Sequence, residues 1–220
     1  MSSEPVADDA DLPVAGTVVI LRDRPYAPEV LLLRRPDRGS FPGAWVFPGG
    51  MVDPSDRRDE AGEQEDACRA AVRETAEEVG LNLDRLVPLS CWMPPVGIPK
   101  RVRTWFFLAT DPGDPLAPAP DEVVEARWTT PADALAAHDA GEIVLVPPTW
   151  RTLHALGDVR DSEAALARVR GSEPELFRTR VARTDEGTLF FWDGDELAGA
   201  SAGSRDRLWA ASTPWRYERS

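Results

Sequence analysis

The sequence predicts an α/β (α+β) fold in which a mixed sheet lies between helical layers. Three observations support this fold class. Short β-rich segments alternate with a few helical segments, start and stop residues bracket the helical ones, and 42% of the 220 residues are hydrophobic. A chain of this length can bury one core and carry an appendage beside it.

The first half of the chain is predicted to contain three strands and one long helix. The strands fall at residues 14–21, 29–35 and 45–47, and the first two read as a hairpin-like pair. Residues 48–50 (Pro-Gly-Gly) form a turn and residues 53–62 a polar loop. A helix follows from Glu63 to Val79 and ends at Gly80. A helical wheel assigns Cys68, Val72, Thr75 and Val79 to the core side and Ala67 and Ala70 to the opposite sector, where they would leave room for a substrate.

The second half is predicted to add three strands and several short helices. Strands are expected at 86–92, 103–110 and 123–129, with a proline-rich loop at 111–120. Thr130-Pro131 caps and opens one helix, and another spans 149–156. Beyond it we expect a helix near 162–170, a hairpin through 179–193 and a Gly/Ser/Ala-rich tail. The predicted units are a disordered acidic arm (1–12), a main domain (13–157) and a C-terminal extension (158–220) whose role as lid, dimer contact or edge extension stays open.

Composition excludes several classes of partner and enzyme. The formal charge of −13 argues against a nucleic-acid backbone as the main partner, because phosphate neutralisation needs a basic surface. The N-terminus lacks the features of a signal peptide, and no apolar run approaches the roughly 20 residues that span a bilayer, so we expect a soluble cytoplasmic protein without a membrane partner. Cys68 and Cys91 are too few for a disulfide framework. His138 and His154 do not pair with a nucleophile in a Ser/His/Asp pattern.

One acidic stretch indicates a metal site. Glu74, Glu77 and Glu78 stand at i, i+3 and i+4, so on a helix they share one face. Like charges at that spacing repel each other, which a purely structural helix has reason to avoid. A hard divalent cation removes the repulsion and prefers carboxylate oxygens. The stretch therefore predicts a site for Mg²⁺ or Mn²⁺.

The residues around these glutamates resemble the Nudix box. The box has a Gly, a spaced Glu, and then Arg-Glu-x-x-Glu-Glu-x-Gly followed by a bulky apolar residue, which residues 73–81 match. Glu65 lies eight residues before Arg73, as in the family. The family expects that glutamate six residues after the second Gly, where this chain has Asp56, so the box is interpreted as carrying a nine-residue insertion. Thr75 stands where a larger aliphatic residue is usual.

The resemblance implies a fold, a reaction and roles for individual residues. It implies a Nudix-type α/β/α sandwich over residues 13–157 and metal-dependent hydrolysis of a nucleoside diphosphate linked to another moiety. The implied metal ligands are Glu74, Glu77, Glu78 and the carbonyl of Gly49. Arg73 would fix the rotamer of a box glutamate, and Glu65 would bind a second metal, position water or hold the loop. The base that deprotonates water would be a box glutamate such as Glu74, or a glutamate on the later strand, with Glu125 and Glu122 both candidates.

The substrate prediction depends on a weaker resemblance. Residues 31–35 (Leu-Leu-Leu-Arg-Arg) and 43–50 partly resemble the upstream signature of coenzyme A pyrophosphatases. The inserted box and residues 99–107 are similar to the branch that contains peroxisomal coenzyme A diphosphatases. Coenzyme A or an acyl derivative is therefore favoured as the small-molecule partner; the alternatives are an ADP-ribose or dinucleotide pyrophosphatase and a non-catalytic ligand-binding module. The predicted phosphate-binding residues are Arg35, Lys100, Arg101 and Arg103. A homodimer is left open.

Overall fold

The computed structural model describes residues 9–38, 41–210 and 213–220. The helices are α1 (Glu63–Val79), α2 (Pro131–Asp139), α3 (Pro147–Leu156) and α4 (Ser162–Val169). The strands are β1 (Val14–Arg22), β2 (Glu29–Arg34), β3 (Trp45–Val46), β4 (Gly49–Met51), β5 (Val87–Met93), β6 (Arg103–Thr110), β7 (Glu125–Thr129), β8 (Glu175–Arg178), β9 (Arg180–Thr184), β10 (Gly187–Phe191), β11 (Asp206–Trp209) and β12 (Arg216–Arg219). Short 3-10 helices lie at Asp9–Asp11, Pro54–Asp56 and Glu196–Ala198.

The main sheet is mixed, as the sequence predicted. Its strands follow the order β3-β2-β1-β6-β5-β8, while β4 adds to β1 and β7 adds to β2. The pairs β1–β6 and β5–β8 are parallel and the other pairs are antiparallel. Strand β1 pairs with β2 through its last residues and with β4 through its first, so one edge of β1 holds two strands in line.

Alternating side chains of the central strands feed two separate hydrophobic clusters. Val18 and Ile20 of β1 and Leu31 and Leu33 of β2 pack with α1 on one face. The residues between them, including Val19, pack with α2, α3 and α4 on the other face. This alternation is the period of two expected for a strand that is buried on both faces. The α/β/α layering predicted from the sequence is confirmed.

Helix α1 lies unusually close to β1, and small residues permit it. A Cβ atom added at Gly16 would lie 1.9 Å from the carbonyl oxygen of Ala67. Ala67 and Ala70 are both fully buried, so the prediction that they line a substrate space was wrong. The helical wheel placed Thr75 and Val79 correctly in the core. It assigned the alanines to the other side because it sorted residues by hydrophobicity alone, whereas close packing against β1 selects small side chains.

The C-terminal extension is joined to the main sheet. Strand β8 pairs in parallel with β5, and the ring of Phe177 stacks on Trp92 with centroids 4.0 Å apart. The predicted hairpin appears as β9 and β10, within a second sheet of order β12-β11-β10-β9. The Gly/Ser/Ala-rich tail predicted after it is not irregular, because it supplies β11 and β12 and the fully buried Leu208.

The N-terminal arm is described only in part. Residues 1–8 lie outside the described residues, and Asp9–Asp11 form a 3-10 turn. The Asp9 carboxylate lies 2.6 Å from Nη2 of Arg101. Within the described ranges, no helix combines the length and apolar character that crossing a bilayer would need.

Candidate functional site

Gly49 and Gly50, which the sequence predicted to lie in a turn, instead lie in strand β4, directly beside α1. In the β1–β4 register, Gly50 faces Gly16 and Gly49 faces Thr17. The backbone N–H of Gly49 donates to Oε2 of Glu78 at 2.9 Å. A Cβ at Gly50 would lie 2.4 Å from Oε1 of Glu74, so a larger residue there would displace that carboxylate. Strand β4 therefore touches two of the three predicted metal ligands, Glu74 and Glu78.

The three box glutamates lie along the C-terminal half of α1 and differ in exposure. The side chain of Glu74 is 20% exposed and that of Glu77 is 54% exposed. Glu78 is half-buried against Gly49 of β4. Exposure along this face therefore rises from the half-buried Glu74 and Glu78 beside the sheet to Glu77, which faces solvent.

Arg73 is the cation at the centre of this acidic face. Its Nη1 donates to Oε1 of Glu74 at 3.0 Å and to Oε2 of Glu77 at 2.8 Å. Its Nε and Nη2 donate to the two carboxylate oxygens of Asp56 at 3.1 and 3.0 Å. Nη2 also donates to the carbonyl oxygen of Met51 at 3.0 Å. Arg73 thus contacts two box glutamates, and its role in fixing their rotamers stays a prediction.

Burial changes the protonation of the site's carboxylates. Burial is the largest effect on Glu78 and raises its pKa to about 7, and repulsion from Glu74 and Glu122 adds to the rise. The Gly49 N–H and the charge of Arg35 act in the opposite direction. Burial also raises the pKa of Glu74, against the attraction of Arg73. Independently of burial, the single guanidinium of Arg73 contacts three carboxylates, those of Asp56, Glu74 and Glu77, so the site holds more negative charge than Arg73 neutralises.

The structure brings Glu122, and not Glu125, to the acidic face. The loop after β6 caps the C-terminal end of α1, because the N–H of Ala119 donates to the carbonyl oxygen of Glu78 at 2.9 Å. Glu122 follows this contact and its charge raises the pKa of both Glu74 and Glu78. The loop after β6 therefore carries an acid to the site that no strand periodicity could place there.

Glu125 lies on the other side of the sheet. It pairs across the β2–β7 register with Arg34, so it shares the face on which α2 and α3 pack. Its carboxylate accepts from Nη2 of Arg127 at 2.7 Å, and the Arg127 guanidinium lies over the ring of Trp45 at 4.6 Å from the ring centroid. The structure therefore does not support the catalytic role that the sequence predicted for Glu125.

Of the four predicted phosphate-binding residues, only Arg35 is brought to the carboxylates. Arg35 follows Leu31 and Leu33 on the α1 side of the sheet, and its charge lowers the pKa of Glu78. Its Nε is buried and has no hydrogen-bond partner among the described residues. A guanidinium beside the site with an unused donor is suited to bind an anionic ligand.

Of the other three basic residues, Arg103 lies at the beginning of α1, and Arg101 and Arg103 are already paired with acidic residues. Nη1 of Arg103 donates to Oε2 of Glu63 at 2.5 Å, and Nη2 of Arg101 donates to Asp9. Glu63 precedes Glu74 by three helical turns, which separates Arg103 from the box glutamates by about 16 Å along the axis. Lys100 is exposed. The structure thus gives Arg101 and Arg103 a structural role, which the run of basic residues did not reveal.

Asp56, and not Glu65, contacts Arg73, although the sequence analysis took Glu65 as the spaced glutamate of the box. Glu65 is exposed in the first turns of α1, and its carboxylate makes no hydrogen bond within the described part of the chain. Asp56 is only 5% exposed, and burial would raise its pKa, but the hydrogen bonds from Arg73 hold the pKa below its usual range. The signal was present in the sequence, because Asp56 stands six residues after Gly50, where the box expects an acid.

The donors at this site fit a divalent cation in kind, although they do not converge as they stand. Within the described residues, no three acidic, histidine or cysteine side chains meet at one point as metal ligands do. Glu74 and Glu77 instead meet on one nitrogen of Arg73, and Glu78 meets the Gly49 N–H. Carboxylate oxygens are the ligands that Mg²⁺ and Mn²⁺ prefer, and a cation would offset the repulsion between Glu74 and Glu78.

Comparison with known proteins decides the family. The profile of the NUDIX domain matches residues 12–147, which is more than half of the chain. The chain belongs to the NUDIX family. The matched residues include β4, α1 and the loop that carries Glu122.

Relatives and solved structures agree with this family. A Caenorhabditis elegans protein provisionally named nudix hydrolase 7 is 27% identical over 172 residues, which cover 60% of this chain and 57% of that protein. The chain thus spans just over half the length of this curated relative. The crystal structure of a NUDIX hydrolase from Alicyclobacillus acidocaldarius is 28% identical, with a TM-score of 0.61, over 71% of this chain and 96% of that one. These relatives carry the enzyme class, Nudix hydrolase, that the sequence predicted.

A more distant structure shows the same fold. The NUDIX domain of Shewanella oneidensis NrtR, solved in complex with ADP ribose, is 18% identical and has a TM-score of 0.52. The match covers 74% of this chain and 94% of that domain. At this identity the likeness concerns the fold alone.

Proposed function

We propose that this NUDIX protein hydrolyses the diphosphate bond of a nucleoside diphosphate linked to another moiety, with Mg²⁺ or Mn²⁺ bound. The ligands would be Glu74, Glu77, Glu78 and the carbonyl of Gly49. The observation that carries the proposal is the placement of two box carboxylates against β4: the Gly49 N–H donates to Oε2 of Glu78 at 2.9 Å, and a Cβ at Gly50 would lie 2.4 Å from Oε1 of Glu74. A folded chain keeps such a charge cluster when a cation or a reaction uses it.

The chain's own residues supply the remaining chemistry. The bound cation would neutralise the diphosphate and favour ionisation of the attacking water. Glu122 would accept the water proton, the water oxygen would bond to phosphorus, and the bond from phosphorus to the bridging oxygen would break. Arg35 would pair with a phosphate oxygen of the substrate. Two phosphate monoesters would leave, and the Glu122 proton would pass to solvent.

Coenzyme A or an acyl-coenzyme A is the first candidate substrate. The support is the partial resemblance of residues 31–35 and 43–50 to the coenzyme A pyrophosphatase signature, together with the inserted box. ADP-ribose is the second candidate, because a NUDIX domain with the same fold has been solved with that ligand. A non-catalytic module that binds such a ligand is the alternative from another class.

A substrate panel tests the proposal. The protein is incubated with coenzyme A, ADP-ribose, NADH and Ap4A, with Mg²⁺ and with Mn²⁺, and the products are identified by mass. Cleavage of coenzyme A to 4′-phosphopantetheine and 3′,5′-ADP is the expected result. Cleavage of ADP-ribose or a dinucleotide instead would refute coenzyme A as the substrate but would still support diphosphate hydrolysis as the reaction.

Two variants make the panel specific. Glu78→Gln should lose the activity, which excludes a contaminating hydrolase. Glu60→Gln, an equivalent change at an exposed position of the inserted loop, is the matched control and should retain it. Binding of a panel compound without turnover under either metal would favour the binding module.

A further inference from the structure

One edge of the Arg73 guanidinium is fixed by a buried carboxylate. Asp56 accepts from Nε and Nη2 of Arg73, and it is 5% exposed. Asp56 is itself held by the backbone N–H of Asp53, which donates to Oδ2 at 2.8 Å. The carbonyl of Met51 accepts a further bond from Nη2. The plane of the guanidinium is thus set by the loop before α1.

This arrangement leaves one nitrogen of Arg73 for the box glutamates. A guanidinium presents five N–H donors in a rigid fork, so its free edge is determined once the other edge is bound. Nη1 is the nitrogen left over, and it contacts both Glu74 and Glu77. The position of Asp56 therefore decides where the positive charge of Arg73 stands among these carboxylates.

Two contacts tie Asp56 and the residues that follow it to α1. Nε of Arg69 donates to the carbonyl oxygen of Asp56 at 2.6 Å, and the N–H of Arg58 donates to Oδ1 of Asp66 at 3.3 Å. Both contacts tie the loop after Asp56 to the first turns of α1. Glu65 lies on the same helix as Arg73 but eight residues earlier, about 12 Å along the axis. It is too far away to share the guanidinium.

We propose that Asp56 is the positioning residue of this site, that Glu65 has no such role, and that the nine inserted residues follow Asp56 in the box. The proposal rests on the proposed function, since it concerns the same carboxylates. Without Asp56, the Arg73 fork would be free to turn fully toward Glu74 and Glu77. It would then compete with a divalent cation for the same oxygens, and cation affinity would fall.

Four variants of the full chain test this proposal. Asp56→Asn removes the charge, Asp56→Glu keeps it on a longer side chain, Glu65→Gln tests the rival position, and Asp59→Asn is an exposed control in the same loop. Mn²⁺ binding is measured by the electron paramagnetic resonance of the free ion. Hydrogen exchange at Nε–H of Arg73 is measured by NMR without metal, which reports on the anchor whether or not the protein is active.

The expected results separate the two positions. Asp56→Asn should weaken Mn²⁺ binding about tenfold or more, the usual effect of losing an outer contact to a ligand. It should also speed exchange at Arg73, and Asp56→Glu should restore most of both properties. Glu65→Gln and Asp59→Asn should stay within about twofold of the wild type, as surface substitutions do.

Several outcomes would overturn the inference. One is Mn²⁺ affinity in Asp56→Asn within about twofold of the wild type, the range of a surface change. Another is a loss in Glu65→Gln as large as that in Asp56→Asn. If Asp56→Asn does not fold, rapid Arg73 exchange in the wild type itself overturns the anchor. A wild type that binds no Mn²⁺ and cleaves no panel compound refutes the proposed function, while slow Arg73 exchange would still support the anchor.

Discussion

The molecule contains two arginine–aspartate pairs of nearly the same geometry in very different surroundings. In the NUDIX box, Arg73 clasps Asp56 with two nitrogens. In the C-terminal extension, Arg207 clasps Asp195 with two nitrogens at 2.6 and 2.5 Å. Burial would raise the pKa of each aspartate, but the arginine hydrogen bonds hold both below the usual range. The bond alone therefore does not indicate function.

The difference lies in what surrounds each pair. Asp195 is fully buried, and the backbone N–H groups of Asp206 and Leu197 complete its hydrogen bonds. Around Arg73, the carboxylates of Glu74 and Glu77 share one nitrogen, and a third carboxylate, that of Glu78, is half-buried nearby with a raised pKa. A satisfied pair stabilises a fold, whereas a pair amid surplus charge prepares a site for a cation or a substrate.

The largest expected effect comes from removing a surplus charge. Glu78→Gln should lower hydrolysis by more than about 100-fold, beyond what the loss of an outer contact to a ligand costs. The fold should persist, because the swap is nearly isosteric and relieves repulsion on the helix face. Turnover and circular dichroism of the same sample measure both. Near-normal turnover would mean that the surplus charge has no chemical role.

The second prediction concerns the acid brought by the loop after β6. Glu122→Gln should slow the reaction about 100-fold if Glu122 accepts the water proton. Glu125→Gln is the matched change on the opposite face of the sheet, and its kcat should stay within a few-fold of the wild-type value. The comparison uses kcat at saturating substrate and metal. Equal losses in the two variants would argue that neither glutamate is the base.

Breaking the Asp195–Arg207 pair should lower the stability of the fold and leave kcat unchanged. Asp195→Asn leaves the charge of Arg207 buried with a neutral partner and should lower the free energy of unfolding by about 3 kcal/mol. Urea denaturation measures the loss, and kcat of the folded fraction should match the wild type. A drop in kcat without loss of stability would show that this pair also serves the reaction.

The smallest expected effect is a pH dependence of the metal-free protein. The pKa of Glu78 is about 7 when folded and near 4.5 in the unfolded chain, so between these values the folded state binds more protons. Stability from this group is complete below about pH 4.5 and is lost as the pH rises through 7. We expect the Tm without metal to fall by a few °C from pH 5.5 to 8. Glu78→Gln should remove this decline, and a wild-type Tm that rises over the same range would contradict it.

The sequence specified much of the fold because its signals were local. The bounds of α1 follow from its periodicity and from Gly80, and they match the structure at both ends. β1 and β6 were found from their apolar runs. β11 and β12 were missed, because glycine, serine and charged residues surround them and only the second sheet and the Asp195–Arg207 pair organise them.

The site was predictable where it lies on one helix and not where it crosses elements. Glu74, Glu77 and Glu78 share a face by spacing alone. Glu122 reaches them only because the loop after β6 bonds to the end of α1, a contact between residues far apart in sequence. The sequence analysis chose Glu65 over Asp56 as the spaced acid of the box. Residue spacing alone cannot show whether the inserted residues come before or after that acid. Glu65 was chosen because it lies eight residues before Arg73. The assignment of the metal ligands stays a prediction.

The pairing of β8 with β5 has a consequence for how the chain folds. Trp92 on β5 finds its stacking partner in Phe177, 85 residues later in the sequence. At a synthesis rate of about 5–20 residues per second, several seconds pass between the emergence of the two rings from the ribosome. Throughout that interval, β5 is an edge strand with an uncovered aromatic surface, the condition that favours pairing with another chain. The edge of β5 can therefore be covered within its own chain only after β8 has been synthesised.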